Sequence, residues 1–128
     1  MWKTFLLHGI LAAILSSIAS IIYGVIYSTA LYVDFSKVLN SNSIIGASIF
    51  GCILIAIGQL LLFKWKGEKL FGVYNVVVAI LSFASVLGVL GFRLPLDIES
   101  PELFIGLAIP MHFFPAFAYF TLAPFFKR

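Results

Sequence analysis

Apolar residues along the chain fall into four long runs, 5–32, 44–63, 70–92 and 103–126, separated by short stretches that collect serine, asparagine, proline and the charged side chains. Crossing a hydrocarbon layer of about 30 Å takes roughly 20 helical residues, so each run is long enough to span a bilayer. Strands fit poorly. A lipid-facing barrel strand alternates apolar and polar positions over about ten residues, whereas residues 10–15 and 60–63 are apolar throughout. The pattern predicts an all-α integral membrane protein, one domain over residues 1–128 in which four transmembrane helices form an antiparallel bundle.

The linkers carry stop and start signals. Asn40, Ser41, Asn42 and Ser43 make a polar turn ahead of the second run. Ser100, Pro101 and Glu102 read as N-cap, first-turn proline and acidic first turn ahead of the fourth. The loop 64–69 is short enough to be a tight hairpin, which makes consecutive helices neighbours. The fourth run differs from the others. Pro110, Pro115 and Pro124 remove the amides that would bond the carbonyls of Gly106, Met111 and Phe120, which predicts a kinked or locally unwound helix. The first run follows Lys3 and passes a loose likeness to a signal cleavage site at Ser17, Ile18 and Ala19. A signal's apolar region lasts about 7 to 15 residues; this run continues well beyond, so an uncleaved helix is expected.

Composition strengthens the membrane reading. With 62% hydrophobic and 10% charged residues and a mean hydropathy of +1.15, a chain of 128 residues is too apolar for one water-soluble core. Charge then orients it. Lys3, Lys64, Lys66, Lys69, Lys127 and Arg128 fall on one side and only Lys37 and Arg93 on the other, a six-to-two bias. The positive-inside rule places both termini and the 64–69 loop in the cytoplasm, as in a multi-pass inner-membrane protein. Asp34, Asp97, Glu99 and Glu102 lie outside on this assignment. A pI near 9.2 does not point to nucleic acid, because the basic residues are scattered at helix ends and form no stripe.

Small and polar residues mark the faces where membrane helices meet. At about 100° per residue, Ala13, Ser16, Ser20, Tyr23, Gly24 and Tyr27 share a face of the first helix. The second helix has two such faces, one with Ser48, Cys52, Ala56 and Gln59 and one with Ala47, Gly51 and Gly58. Gly72, Asn75, Ala79 and Ser82 align on the third, and Ala108, His112, Ala116 and Tyr119 on the fourth. Expected packing positions are Ser16, Ser20, Gly24, Gly51, Gly58, Ala108 and Ala116.

His112 is the sharpest chemical feature, since an ionisable residue near mid-membrane suggests function. A charged imidazole there, with no carboxylate in any run, would be costly, so a neutral ring is expected, bonded to Ser16, Ser17 or Ser20 of the first helix or Ser82 or Ser85 of the third. Gln59, Asn75 and His8, towards the cytoplasmic boundary, and Tyr23 complete the polar candidates for ligand binding or interhelical bonding. His8 sits at the edge of its small-residue face. Tyr23, Tyr27 and Tyr32 also suit an aromatic belt, with Trp2 and Trp65 at the opposite boundary.

Several chemistries are disfavoured. One cysteine, Cys52, makes no intramolecular disulfide and no CxxC pair. No second intramembrane histidine or acid completes a metal site, and no cofactor is implied. No phosphate loop, HExxH motif or serine triad can be assembled, so an enzyme is the less favoured outcome. The leading expectation is a non-catalytic subunit or interaction protein of a membrane assembly or homo-oligomer. The alternatives are a small transporter or channel built on the broken fourth helix, and an intramembrane lipid- or quinone-binding protein or enzyme with His112 as its polar handle. Expected partners are membrane lipid, other membrane subunits or a second copy, and not nucleic acid.

Overall fold

A computed structural model describes residues 2–35, 40–91 and 102–126, apart from the side chain of Val89. All regular structure among the described residues is helical. Helix α1 is Trp2–Leu31 and α2 is Ser41–Lys66; a 3-10 turn, Gly67–Leu70, leads into α3, Phe71–Gly91. Helices α4, Leu103–Met111, and α5, Phe114–Leu122, make up the last apolar run, which closes on a 3-10 turn, Ala123–Phe125. Three helical stretches, Trp2–Leu31, Ser41–Gly88 and Leu103–Phe125, are long and apolar enough to cross a membrane. Large apolar side chains lie uncovered on them, Phe50 at 70% exposure and Leu81 at 63% among them. Surface of that kind suits lipid, not water.

The 48-residue middle stretch is not one rod. Gly67 takes φ +66°, a conformation that a β-carbon disfavours, and its amide closes α2 on the Phe63 carbonyl. The Tyr74 hydroxyl then donates to the Ile55 carbonyl at 2.6 Å, although a straight helix would hold those residues about 28 Å apart. The chain therefore turns back at Gly67. Phe63, Phe71 and Phe5 lock the turn, with Phe5 centred 5.4 Å from Phe63 and 6.4 Å from Phe71.

Local signals explain the helix ends. The Asn40 side chain accepts the Ser43 amide at 2.8 Å, so α2 begins at Ser41 and takes the polar turn residues into its first turn. Tyr32, at φ +55°, ends α1, and the Val33 amide reaches back to the Ser28 carbonyl at 3.1 Å, the Schellman pattern. That reversal buries Phe35 against Phe104, 5.3 Å between ring centres. The expected cap at Ser100 and Pro101 lies outside the described residues; Glu102, just ahead of α4, makes no side-chain capping bond.

The break in the last run falls between two prolines. The His112 amide bonds Ile109 O at 3.1 Å and the Phe113 amide bonds Pro110 O at 3.0 Å, each three residues back, one short of the α-helical partner. Pro115 has no amide to offer Met111 O, and α5 starts from Phe114. Regular bonding resumes when the Phe117 amide reaches Phe113 O at 2.9 Å.

Two buried clusters hold the helices together, both against α1. Towards its start, Ala12 and Ala13 meet Cys52 and Ala56 of α2 and Ala118 and Tyr119 of α5. Most of these side chains are small, so backbones approach closely. A β-carbon on Gly9 would sit 2.8 Å from the Ala56 β-carbon and 3.3 Å from Cys52 O. Further along, Phe35, Phe104, Leu107 and Ala108 form the second cluster, flanked by Tyr23 and Tyr27. Helix α3 stands apart. It meets α2 near the Gly67 turn and the α4–α5 run further on, and between these contacts α2 and α3 diverge.

Candidate functional site

That divergence opens a cleft of about 520 Å³. Ala47, Gly51 and Leu54 belong to its α2 wall, Val77, Val78 and Leu81 to its α3 wall, and Ala108, Met111, His112 and Pro115 to its floor. Leu54, Val77 and Leu81 are exposed, so the cleft is open along its flank where lipid would lie. Among the described residues the lining contains no Asp, Glu, Lys or Arg. Its polar groups are the side chains of His112, Tyr74 and four serines, Ser20, Ser48, Ser82 and Ser85.

The break at His112 and Phe113 brings the imidazole to the cleft. His112 Nδ1 lies 2.9 Å from Ser85 Oγ, and Ser85 Oγ in turn donates to Ser82 O at 2.6 Å. A serine hydroxyl has one proton. Since that proton goes to a carbonyl, Ser85 must accept from His112 Nδ1–H, and in a neutral ring Nε2 is then a bare acceptor. The His112 side chain is exposed where an enclosed one was expected. The reason is the gap between α2 and α3, which leaves one edge of the ring uncovered.

Ser20 is buried at 1% exposure, lines the same cleft, and its hydroxyl has no hydrogen-bond partner among the described residues. Ser16 and Ser48 are buried and bond each other at 3.1 Å. Cys52 is buried, its thiol 3.6 Å from Pro115 O, where it packs as a small residue.

The remaining candidates lie elsewhere. Tyr23 donates to Gly106 O at 2.6 Å and Tyr27 to Leu103 O, joining α1 to α4. Gln59 is buried and accepts from the Tyr119 hydroxyl at 2.6 Å. Asn75 is half-buried and its Oδ1 has no partner among the described residues. Of the packing positions, Gly51 lies against Pro115, Gly58 against the Tyr74 ring and Gly24 against the Met111 methyl, while Ala108 and Ala116 are buried.

His8 is far more central than its position at the edge of a small-residue face implied. It is fully buried, its Nε2 donates to Tyr119 O at 2.7 Å, and its ring is stacked 3.7 Å from Tyr119 and 4.6 Å from Phe126. The i+4 spacing to Ala12, Ser16 and Ser20 is the sequence signal that could have revealed it. Pro124 explains why the acceptor is available: the Ala123 amide bonds Phe120 O, which Pro124 cannot serve, and so turns away from Tyr119 O.

Two smaller cavities lie elsewhere. One of about 410 Å³ includes Asp34 and Asn40 at the far end of α1, and one of about 360 Å³ is an almost wholly apolar furrow along α1 and α2. Among the described residues no three of His, Cys, Asp and Glu converge to hold a metal ion. The chemistry on offer is hydrogen bonding inside an apolar cleft. Comparison with protein families, curated proteins and solved structures finds no match to this chain.

Proposed function

We propose that the chain is a non-catalytic membrane protein that spans four times and holds a lipid-class molecule taken sideways from the bilayer into the cleft between α2 and α3. In this reading the four runs form an antiparallel bundle in an inner membrane, with both termini and the 64–69 loop cytoplasmic and the fourth span kinked at His112 and Phe113. The observation that carries it is the 520 Å³ cleft, walled by Val, Leu and Ala and floored by one polar ring with an open acceptor. Apolar walls with a few converging polar groups are the usual form of a small-molecule site. Among the described residues no metal ligand set and no carboxylate lines the cleft, and the Ser85 hydroxyl that meets His112 is turned to the Ser82 carbonyl, which favours holding over turnover.

The test is gentle extraction followed by mass spectrometry of bound lipids and proteins, on the native chain and on a cleft-filling variant, Leu81→Trp. A lipid that co-purifies with the first and not with the second supports the proposal. A stoichiometric protein partner with no lipid would replace it with the subunit reading. That reading draws support from Gly72, Gly88 and Gly91 of α3, where none of the described residues would come within 4 Å of an added β-carbon and another helix can come close.

A further inference from the structure

The cleft's hydrogen-bonding groups narrow the chemistry of what it holds, on the premise that it holds a lipid-class molecule. His112 lies nine residues beyond Leu103 and thirteen before Phe125, or about 14 Å and 20 Å along the run at the helical rise. A ligand's polar end that meets the ring is therefore deep in the hydrocarbon. Among the described residues no charged side chain lines the cleft, so a phosphate, carboxylate or ammonium group would lose its water there and meet no counter-charge from them. The polar end must be neutral. It must also bring a proton, because His112 Nδ1–H is committed to Ser85 and Nε2 can only accept while the ring is neutral. Ser20 adds the complementary group. Its buried hydroxyl has no partner among the described residues, and Ser20 lines the same cleft, so a ligand oxygen seated beside it would supply the missing acceptor.

We infer that the cleft receives an uncharged, hydroxyl-bearing acyl lipid of the diacylglycerol kind, whose hydroxyl donates to His112 Nε2 while Ser20 donates to an ester oxygen. An acyl chain suits the walls of Ala47, Leu54, Val77 and Leu81. A phospholipid would leave its charged group at the membrane surface, beyond the reach of the ring. A quinone, which offers only acceptors, would meet Nε2 lone pair to lone pair.

The experiment uses three photoactivatable probes with the same diazirine-bearing acyl chains: a diacylglycerol, its methyl ether and the corresponding phosphatidate. Each is presented to the full chain in nanodiscs, and crosslinked peptides are read by mass spectrometry. The diacylglycerol should label cleft residues of α2 and α3 more than either other probe, by about threefold or more, the factor set by one hydrogen bond of membrane strength. His112→Leu and Ser85→Ala should each erase the preference for alcohol over ether. That preference is a ratio within one preparation, so it does not depend on folding yield. Equal labelling by alcohol and ether, or strongest labelling by the phosphatidate, overturns the inference and leaves a lipid-holding cleft in place. No labelling of the cleft by any probe overturns both.

Discussion

The Tyr23 hydroxyl donates at 2.6 Å to the carbonyl of Gly106, the acceptor whose helical amide partner is missing because residue 110 is proline. A carbonyl left bare in hydrocarbon is costly, so a side chain of α1 completes the helix that Pro110 interrupts. Tyr23→Phe should destabilise the fold by about 0.6 to 2 kcal/mol, the range for interhelical hydrogen bonds in membranes. In a Pro110→Ala background the restored backbone amide can serve Gly106, and the same tyrosine substitution should cost less than half as much. Unfolding measured in mixed micelles for the four members of this cycle checks the coupling. Equal cost in both backgrounds would mean that the tyrosine does not serve the carbonyl.

Close approach of α1 and α2 gives a prediction of the opposite kind, in which adding one methyl group does harm. A β-carbon on Gly9 would lie 2.8 Å from the Ala56 β-carbon and 3.3 Å from a backbone oxygen, so the helices must part to admit it. Gly9→Ala should cost about 1 to 3 kcal/mol, as overpacking does. Gly88, where none of the described residues would come within 4 Å of an added β-carbon, is its control. Gly88→Ala should be neutral or stabilising by about 0.5 to 1 kcal/mol, since alanine is the better helix former. Thermal unfolding of the two variants in one detergent separates them. Similar behaviour at both positions would argue against this α1–α2 contact.

Much of the architecture is legible in the sequence because a bilayer reads only length and polarity. The helical state and the apolar character follow from residue type and spacing, and three helical stretches long and apolar enough to cross a membrane are found, the middle one starting beside the Asn40 cap. Depth along a helix is equally simple to read. It admits five serines as partners for His112, and the structure selects Ser85 at 2.9 Å. The cleft could not be read, because it depends on the angle at which α3 leaves the Gly67 turn, and hydropathy carries no angle. The i+4 spacing to Ala12, Ser16 and Ser20 marks the packed face of His8, but not the rings that enclose it. Its stacking partners, Tyr119 and Phe126, come from the far end of the chain and meet it only when α5 docks on α1.

Orientation in the membrane rests on the six-to-two distribution of Lys and Arg. Alkaline phosphatase fused at residue 37 or 97 should be active, as an exported reporter is, and a fluorescent protein fused after residue 128 should fold in the cytoplasm. Moving the bias provides the sterner test: replacing Lys64, Lys66 and Lys69 with glutamine should yield a mixed or inverted population. Inactive phosphatase at both outer positions of the unaltered chain would overturn the topology.

The two histidines should part company in mutagenesis, because one is enclosed and the other borders an opening. His8 is fully buried, donates to Tyr119 O at 2.7 Å and lies stacked on Tyr119 and Phe126. His8→Leu keeps an apolar body but removes the donor and the flat ring together, and leaves a carbonyl in the core without that partner. Loss of a buried hydrogen bond of this kind costs about 1 to 3 kcal/mol, so lower thermal stability and a smaller folded yield are expected. His8→Gln, which can still donate but cannot stack, should fall between. His112 is exposed, and its bond is to a serine that is itself exposed. His112→Leu should therefore change stability by under about 1 kcal/mol, within the range of single interhelical bonds in membranes, while lowering lipid retention. Stability and retention measured on the same preparations give two axes on which the variants should separate, His8→Leu moving along the first and His112→Leu along the second. If His112→Leu lowers stability as much as His8→Leu with retention unchanged, the imidazole at the cleft is a packing element and the binding role assigned to it fails.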